Sequence, residues 1–217
     1  MQIIRAFIAN QLGFPSGWFG RLLLRLLNRN NAAMNDLVLQ LLHLQSGVHV
    51  LEIGFGGGDL IHKIVNTGIP ALIVGVERSP EALNICQQRF QHFIHQDKVE
   101  LYLADATKLP FPDHHFHRLC TVNTLYFWSD ALQVLTECHR ILLPGGKLVI
   151  SYTSKAFLDK QKFSQHGFVA YEVAEVEMML KTAGFTEIST FSGKSTHHQE
   201  FFCTCGLARD ASAKAKS

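Results

Sequence analysis

The sequence predicts an α/β fold, with strands and helices alternating, and three observations predict it. Short apolar runs of strand length recur at residues 48–53, 71–76, 99–103, 116–122 and 147–152. Helical stretches follow most of them. The first run passes through a glutamate into a glycine cluster, Glu52-Ile53-Gly54-Phe55-Gly56-Gly57-Gly58-Asp59, that opens directly onto a helix over 60–65. A buried strand, a tight turn and a helix start are the physical reading of that stretch. Its glycines let the main chain lie against a ligand. The free N–H groups at a helix start favour negative charge.

The turn is not the dinucleotide fingerprint. Gly-x-Gly-x-x-Gly counted from Gly54 would need glycine at Asp59, and counted from Gly56 at Ile61. Glu52 would repel a pyrophosphate, but it would welcome an ammonium group. A ligand with an amino-acid end and a nucleoside end fits, and S-adenosylmethionine is such a ligand.

In chain order, residues 1–36 are expected to form an N-terminal helical lid, 37–208 the main domain and 209–217 a frayed tail. Arg21, Arg25 and Arg29 make a basic stripe on a leucine-rich helix. That pattern suits a membrane surface, but a lid packed on the domain with its arginines reaching water is favoured. A second helix runs over 32–44 and ends at Gly47. The second strand ends at Glu77, 23 residues after Gly54. That is near the spacing of about 20 at which an acid meets ribose hydroxyls. Ser79-Pro80-Glu81 then supplies an N-cap, a proline at N1 and an acid in the first turn of a helix reaching about His92.

Asp105 follows the third strand, at the rim where open sheets bind ligands, and its oxygen suits an adenine amino group. The fourth strand is followed by Asn123-Thr124-Leu125-Tyr126-Phe127-Trp128, an aromatic run that is costly to expose. Ser129 is expected to cap a helix over 130–142, and Pro144-Gly145-Gly146 turns into the fifth strand. Residues 154–170 read as an irregular connection carrying Phe157, Phe163 and Phe168. A helix over 172–183 leads to strands over 185–191 and 200–208, a hairpin whose polar turn contains Gly193.

Composition narrows the function classes. A chain of 217 residues with 47% apolar and 18% charged residues builds one well-cored domain. A net charge of +2 is close to neutral, so nothing demands a nucleic-acid partner. Five cysteines form no Cys-x-x-Cys pair, which argues against zinc and for core thiols in a cytoplasmic protein. His114, His115 and His117 look like a metal cluster but lack an acid or cysteine to complete it, so they read as surface histidines. No apolar run spans a bilayer, and no export signal is expected.

Four motifs in order make the chain resemble the class I S-adenosylmethionine-dependent methyltransferases. They are Val50 through Gly58, Gly75-Val76-Glu77, Leu103-Ala104-Asp105-Ala106 with Leu109-Pro110-Phe111, and Leu142 through Leu148 around Pro144-Gly145-Gly146. The wording around Asp105 is most like the small-molecule branch that includes the ubiquinone- and menaquinone-type enzymes. The resemblance implies a Rossmann-like, seven-stranded, mainly parallel sheet with helices on both faces and a C-terminal antiparallel hairpin. It implies that Glu52, Gly54, Phe55, Gly56 and Gly58 hold the methionine end of the cofactor. Glu77 with Arg78 would meet the ribose, Asp105 and Ala106 the adenine, and Asn123 would lie near the sulfonium.

The expected activity is in-line methyl transfer to a small aromatic or hydrophobic acceptor, with no metal and no nucleic-acid partner. Phe14, Trp18, Tyr126, Trp128 and Phe168 are the candidates to line an acceptor pocket, and His166 and Tyr126 the candidates for a base. A nucleic-acid methyltransferase is the first alternative; Asn123-Thr124-Leu125-Tyr126 lacks the prolines of Asn-Pro-Pro-Tyr. A non-catalytic binding module whose N-terminal helix meets a membrane or partner is the second. A dehydrogenase is disfavoured by Asp59.

Overall fold

A computed structural model describes residues 31–162, 168–195 and 199–209. The first described helix, α1 (Ala32–Leu41), leads to β1 (His49–Ile53) and α2 (Asp59–Asn66). Next come β2 (Leu72–Glu77), α3 (Pro80–Arg89), a single turn α4 (Gln91–Ile94), β3 (Val99–Leu103) and β4 (Phe116–Val122). A 3-10 turn (Leu125–Phe127), α5 (Ala131–Ile141), β5 (Leu142–Thr153), α6 (Lys155–Lys160), α7 (Val173–Thr182), β6 (Phe185–Lys194) and β7 (Glu200–Ala208) complete the chain.

The strands form one seven-stranded sheet in the order β3-β2-β1-β4-β5-β7-β6. β1 to β5 are parallel, and β7 runs antiparallel between β5 and β6. Successive residues of a strand face opposite sides, and the core splits accordingly. Leu51 and Ile53 join the apolar layer under α5 and α7, with Val134, Leu135, Val176 and Leu180. Val50 joins the opposite layer under α1, α2 and α3, with Val38, Leu60, Ile64 and Phe90. Helices therefore cover both faces, and the strand order reverses between β1 and β4. That reversal opens a crevice at the carboxyl rim.

Most expected elements stand, with five differences. The helix expected over 80–92 breaks at Phe90, whose ring is fully buried; a separate turn follows it. Asp130 rather than Ser129 caps α5, its carboxylate accepting from the Gln133 N–H at 2.9 Å. β5 begins at Leu142, with the Pro144-Gly145-Gly146 turn as an irregularity before regular pairing from Lys147. The connection after β5 contains α6, which is too short to show a helical period. Gly193 lies within β6 opposite Phe201, and a Cβ there would meet that ring at 2.3 Å, so the glycine makes room for it.

The division expected between residues 36 and 37 falls inside α1. Met34 and Asn35 on one side of it and Val38 on the other are all buried. The rest of the expected lid, residues 1–30, lies outside the described residues. Among the described residues no helix is long and apolar enough to cross a membrane.

Candidate cofactor and acceptor site

A cavity of about 540 Å³ lies at the carboxyl rim between β1, β2 and β4. It brings together Glu52, Gly54, Phe55, Gly56, Glu77, Arg78, Asp105, Ala106 and Asn123, which the sequence scatters over 72 positions. Tyr126, Trp128 and Phe168 line the same space. Gly58 does not line it. Its φ is +77°, and a Cβ there would meet the Phe90 ring at 2.6 Å and the Cys86 sulfur at 2.9 Å. The last glycine of the turn therefore serves close packing against α3. Phe14, Trp18 and His166 lie outside the described residues.

Two acids dominate the floor. Glu52 is the fourth residue of β1 and is almost fully buried. Its Oε2 has no hydrogen-bond partner among the described residues. Burial, and then the neighbouring carboxylate of Glu77, push its acid up to about 8, against a smaller opposite pull from the Ile61 backbone N–H. A buried, orphaned carboxylate oxygen is costly unless a partner completes it. A cation in the hollow would do so, and the ammonium of an amino-acid ligand supplies one. The donor set therefore fits S-adenosylmethionine.

Glu77 ends β2. Its Oε1 accepts from the Arg78 N–H at 2.8 Å and the Ser79 N–H at 2.9 Å, while Oε2 accepts from the Gly56 N–H at 3.1 Å. A carboxylate has about four acceptor positions. Three are taken by backbone, so Glu77 ties the glycine turn to β2 while also lining the cavity. The sequence reading anticipated only the second task. Arg78 is exposed, with its guanidinium 5.9 Å from the Phe127 ring centre.

Asp105 accepts at Oδ1 from both the Thr107 hydroxyl, at 2.6 Å, and the Thr107 N–H, at 2.8 Å. Those two bonds, aided by the charge of Arg78, hold its carboxyl below the ordinary range despite some desolvation. It is an ionised acceptor at the cavity wall.

The far wall is apolar and aromatic. Phe168 stacks on Tyr126 at 5.9 Å and meets Phe127 edge-on at 4.7 Å. Tyr126 is buried, and burial raises its phenol well above the ordinary value. The Thr153 N–H donates to its oxygen, and its hydroxyl donates to Asn123 Oδ1 at 2.8 Å. A phenol so held keeps its proton at neutral pH. The two bonds orient the Tyr126 ring toward Asn123. Gln199 donates to the Thr153 hydroxyl at 3.1 Å, which donates to the same Asn123 oxygen at 3.1 Å. Two donor chains thus end on Oδ1, and they fix the amide of Asn123 with its nitrogen toward Asn31 at 2.8 Å and Met34. Asn123 holds this pose with φ +56°, a left-handed backbone that asparagine tolerates better than most residues.

Sequence reasoning missed Asn31 and Met34, which reach the cavity from the start of α1, and Thr153 and Gln199, which enter from β5 and from just before β7. Thr153 had a signal, since it ends a strand at the ligand-binding rim. Gln199 had none. The histidines read as surface groups are tied to backbone: the His49 N–H donates to His117 Nδ1 at 3.1 Å, and His114 Nδ1 donates to Leu142 O at 3.0 Å. All five cysteines are free and buried.

An ammonium completing Glu52 would make ligand binding proton-linked. The raised value of the Glu52 acid means that its contribution to folding is fully present below about 4.5 and is lost as pH rises through about 8. A bound ammonium reverses the preference and favours the carboxylate. S-adenosylhomocysteine binding near pH 7 is therefore expected to release a proton, with affinity climbing toward pH 8 and levelling above it. Calorimetry in buffers of different ionisation enthalpy measures this. Glu52→Gln should abolish the release; a wild-type protein releasing none would contradict the assignment.

A parallel sheet closed by an antiparallel hairpin, with a glycine turn and two acids at its rim, defines the Rossmann-like class of methyltransferase folds. Residues 51–150 match the family described as methyltransferase domain. Over 130 residues the chain is 28% identical to a demethylmenaquinone methyltransferase of Symbiobacterium thermophilum, covering 59% of this chain and 51% of that one. Over 144 residues it is 31% identical to a ubiquinone/menaquinone biosynthesis C-methyltransferase of Pseudomonas syringae pv. syringae, covering 66% and 55%. A crystal structure of an S-adenosylmethionine-dependent methyltransferase from Aquifex aeolicus superposes with a TM-score of 0.68 at 19% identity, over 94% of this chain and 98% of that one; it bears on the fold alone. Over residues 51–150 the chain is thus similar to the methyltransferase domain family. It spans about half the length of the curated relatives it matches, 51%, 41% and 48% for three of them.

Proposed function

We propose that this protein methylates a small, flat, hydrophobic acceptor of the quinol or phenol kind with S-adenosylmethionine as donor. The observation that carries the reading is the orphaned Oε2 of Glu52 in a hollow whose opposite wall is aromatic. When bound, the cofactor supplies a methyl on a sulfonium, which leaves as a neutral thioether. The chain then needs mainly to align the acceptor and keep water out. Glu52 and Glu77 hold the two ends of the cofactor's ribose-to-ammonium span, and Asp105 takes the adenine amino group. Phe127, Trp128 and Phe168 shield the acceptor side.

Several observations bear on the choice of partner. The net charge of +2 supports a small molecule over nucleic acid. Relatives named for demethylmenaquinone support a quinol-type acceptor. The five free buried thiols support a cytoplasmic setting.

The test is methyl-labelled S-adenosylmethionine with demethylmenaquinol, simple phenols and indoles, and RNA as comparison. Label is expected in the organic extract. Label on RNA, or on no acceptor of the panel, would overturn the proposal. The N-terminal segment is further proposed as the acceptor-side cover. Deleting residues 1–20 should then lower turnover at least several-fold while leaving S-adenosylhomocysteine affinity unchanged; a fully active truncation would remove the cover.

A further inference from the structure

The glycine turn carries backbone freedom that has to be restrained, because a loop able to take positive φ is also able to take many other shapes. Gly54, Gly56 and Gly58 have φ of +73°, +50° and +77°. Helix α3 restrains them from behind. The Cys86 thiol donates to the Gly56 carbonyl at 3.4 Å. Arg89 Nη1 donates to the Gly57 carbonyl at 2.5 Å and to Asp59 Oδ1 at 2.7 Å. Phe90 closes on Gly58. Three residues within one turn and a half of helix thus grip consecutive residues of the loop.

We propose that Arg89 and Cys86 are positioning residues for the amino-acid end of the cofactor, a role that rests on the S-adenosylmethionine reading above. In a trans peptide the C=O and the following N–H point in opposite directions. Turning the Gly56 carbonyl toward Cys86 aims the Gly57 N–H at the hollow, where it meets the ligand's carboxylate. Arg89 adds a second effect. Asp59 borders the hollow and its negative charge would repel that carboxylate; the guanidinium neutralises it. The residue that broke the dinucleotide pattern is in this way made compatible with an anionic group. The Arg89 contacts touch neither Glu77 nor Asp105, the residues proposed for the ribose and the adenine.

That separation supplies the test. Full-length protein is titrated calorimetrically with S-adenosylhomocysteine and with 5′-methylthioadenosine, which lacks the amino-acid end. The readout is the ratio of the two affinities, since general damage to the fold lowers both alike. Arg89→Met keeps the packing over Phe90 and removes the donors. It is expected to reduce the ratio about ten-fold, the scale of a lost charged hydrogen bond. Arg89→Lys should recover part of it, and Cys86→Ala should lower it by a smaller factor. An unchanged ratio in Arg89→Met overturns the positioning role, whatever happens to overall stability. Wild-type protein that binds neither ligand overturns the cofactor reading itself.

Discussion

Glu77→Ala is expected to weaken S-adenosylhomocysteine binding by about 1.5–3 kcal/mol, the range for hydrogen bonds to a charged group. The loss has two sources. The ribose loses its carboxylate. The N–H groups of Gly56, Arg78 and Ser79 also lose their shared acceptor, so the turn is no longer tied to β2. Because the ribose is common to both ligands, affinity for 5′-methylthioadenosine should fall alongside. This is the opposite of the selective effect expected at Arg89. Glu77→Gln keeps one good acceptor atom and should fall between wild type and alanine. Calorimetry on the three proteins reads the outcome, and an unaltered affinity in Glu77→Ala refutes the ribose role.

Gly58→Ala is expected to destabilise the fold by about 2–5 kcal/mol. A left-handed backbone costs a residue with a Cβ roughly 1–2 kcal/mol. Forcing a methyl into a packed core adds about 1–3 kcal/mol. Here the methyl meets Phe90 at 2.6 Å and Cys86 at 2.9 Å, and Phe90 is fully buried with nowhere to retreat. Gly68 is the control. Its φ is +65°, but nothing lies within 4 Å of the added methyl, so Gly68→Ala should cost only the backbone part. Urea unfolding of both variants separates steric from conformational cost. Equal effects would mean that the α3 contact is not tight.

The framework of this site was legible in the sequence because each of its parts leaves a local mark. An apolar run, a glycine cluster and an acid at a strand end are read from adjacent residues. Their repetition at ordinary spacing fixed β1, β2, β3 and the rim that holds Glu52, Glu77 and Asp105. The hairpin of β6 and β7 was legible for the same reason, apart from Gly193, whose role depends on a ring eight residues away.

What stayed hidden depends on groups far apart in the chain. That Glu77 spends three acceptor positions on backbone follows from the fold of the turn, not from its own neighbours. The orientation of Tyr126 required Thr153, 27 residues later, and the chain through Gln199 required the residue just before β7. Met34 and Val38, on either side of the 36/37 division, lie one turn apart on the same helix and enter one core. Tyr126, Trp128 and Phe168 line one cavity, but composition alone did not show how the Tyr126 phenol is buried and held.

A crystal structure of the full chain with S-adenosylhomocysteine tests the central claim most directly. The account predicts ribose hydroxyls within about 3 Å of the Glu77 carboxylate, the adenine amino group at Asp105 and the ammonium completing Glu52 Oε2. Ligand density away from the β1–β4 rim, or a nucleoside touching neither Glu77 nor Asp105, would contradict it.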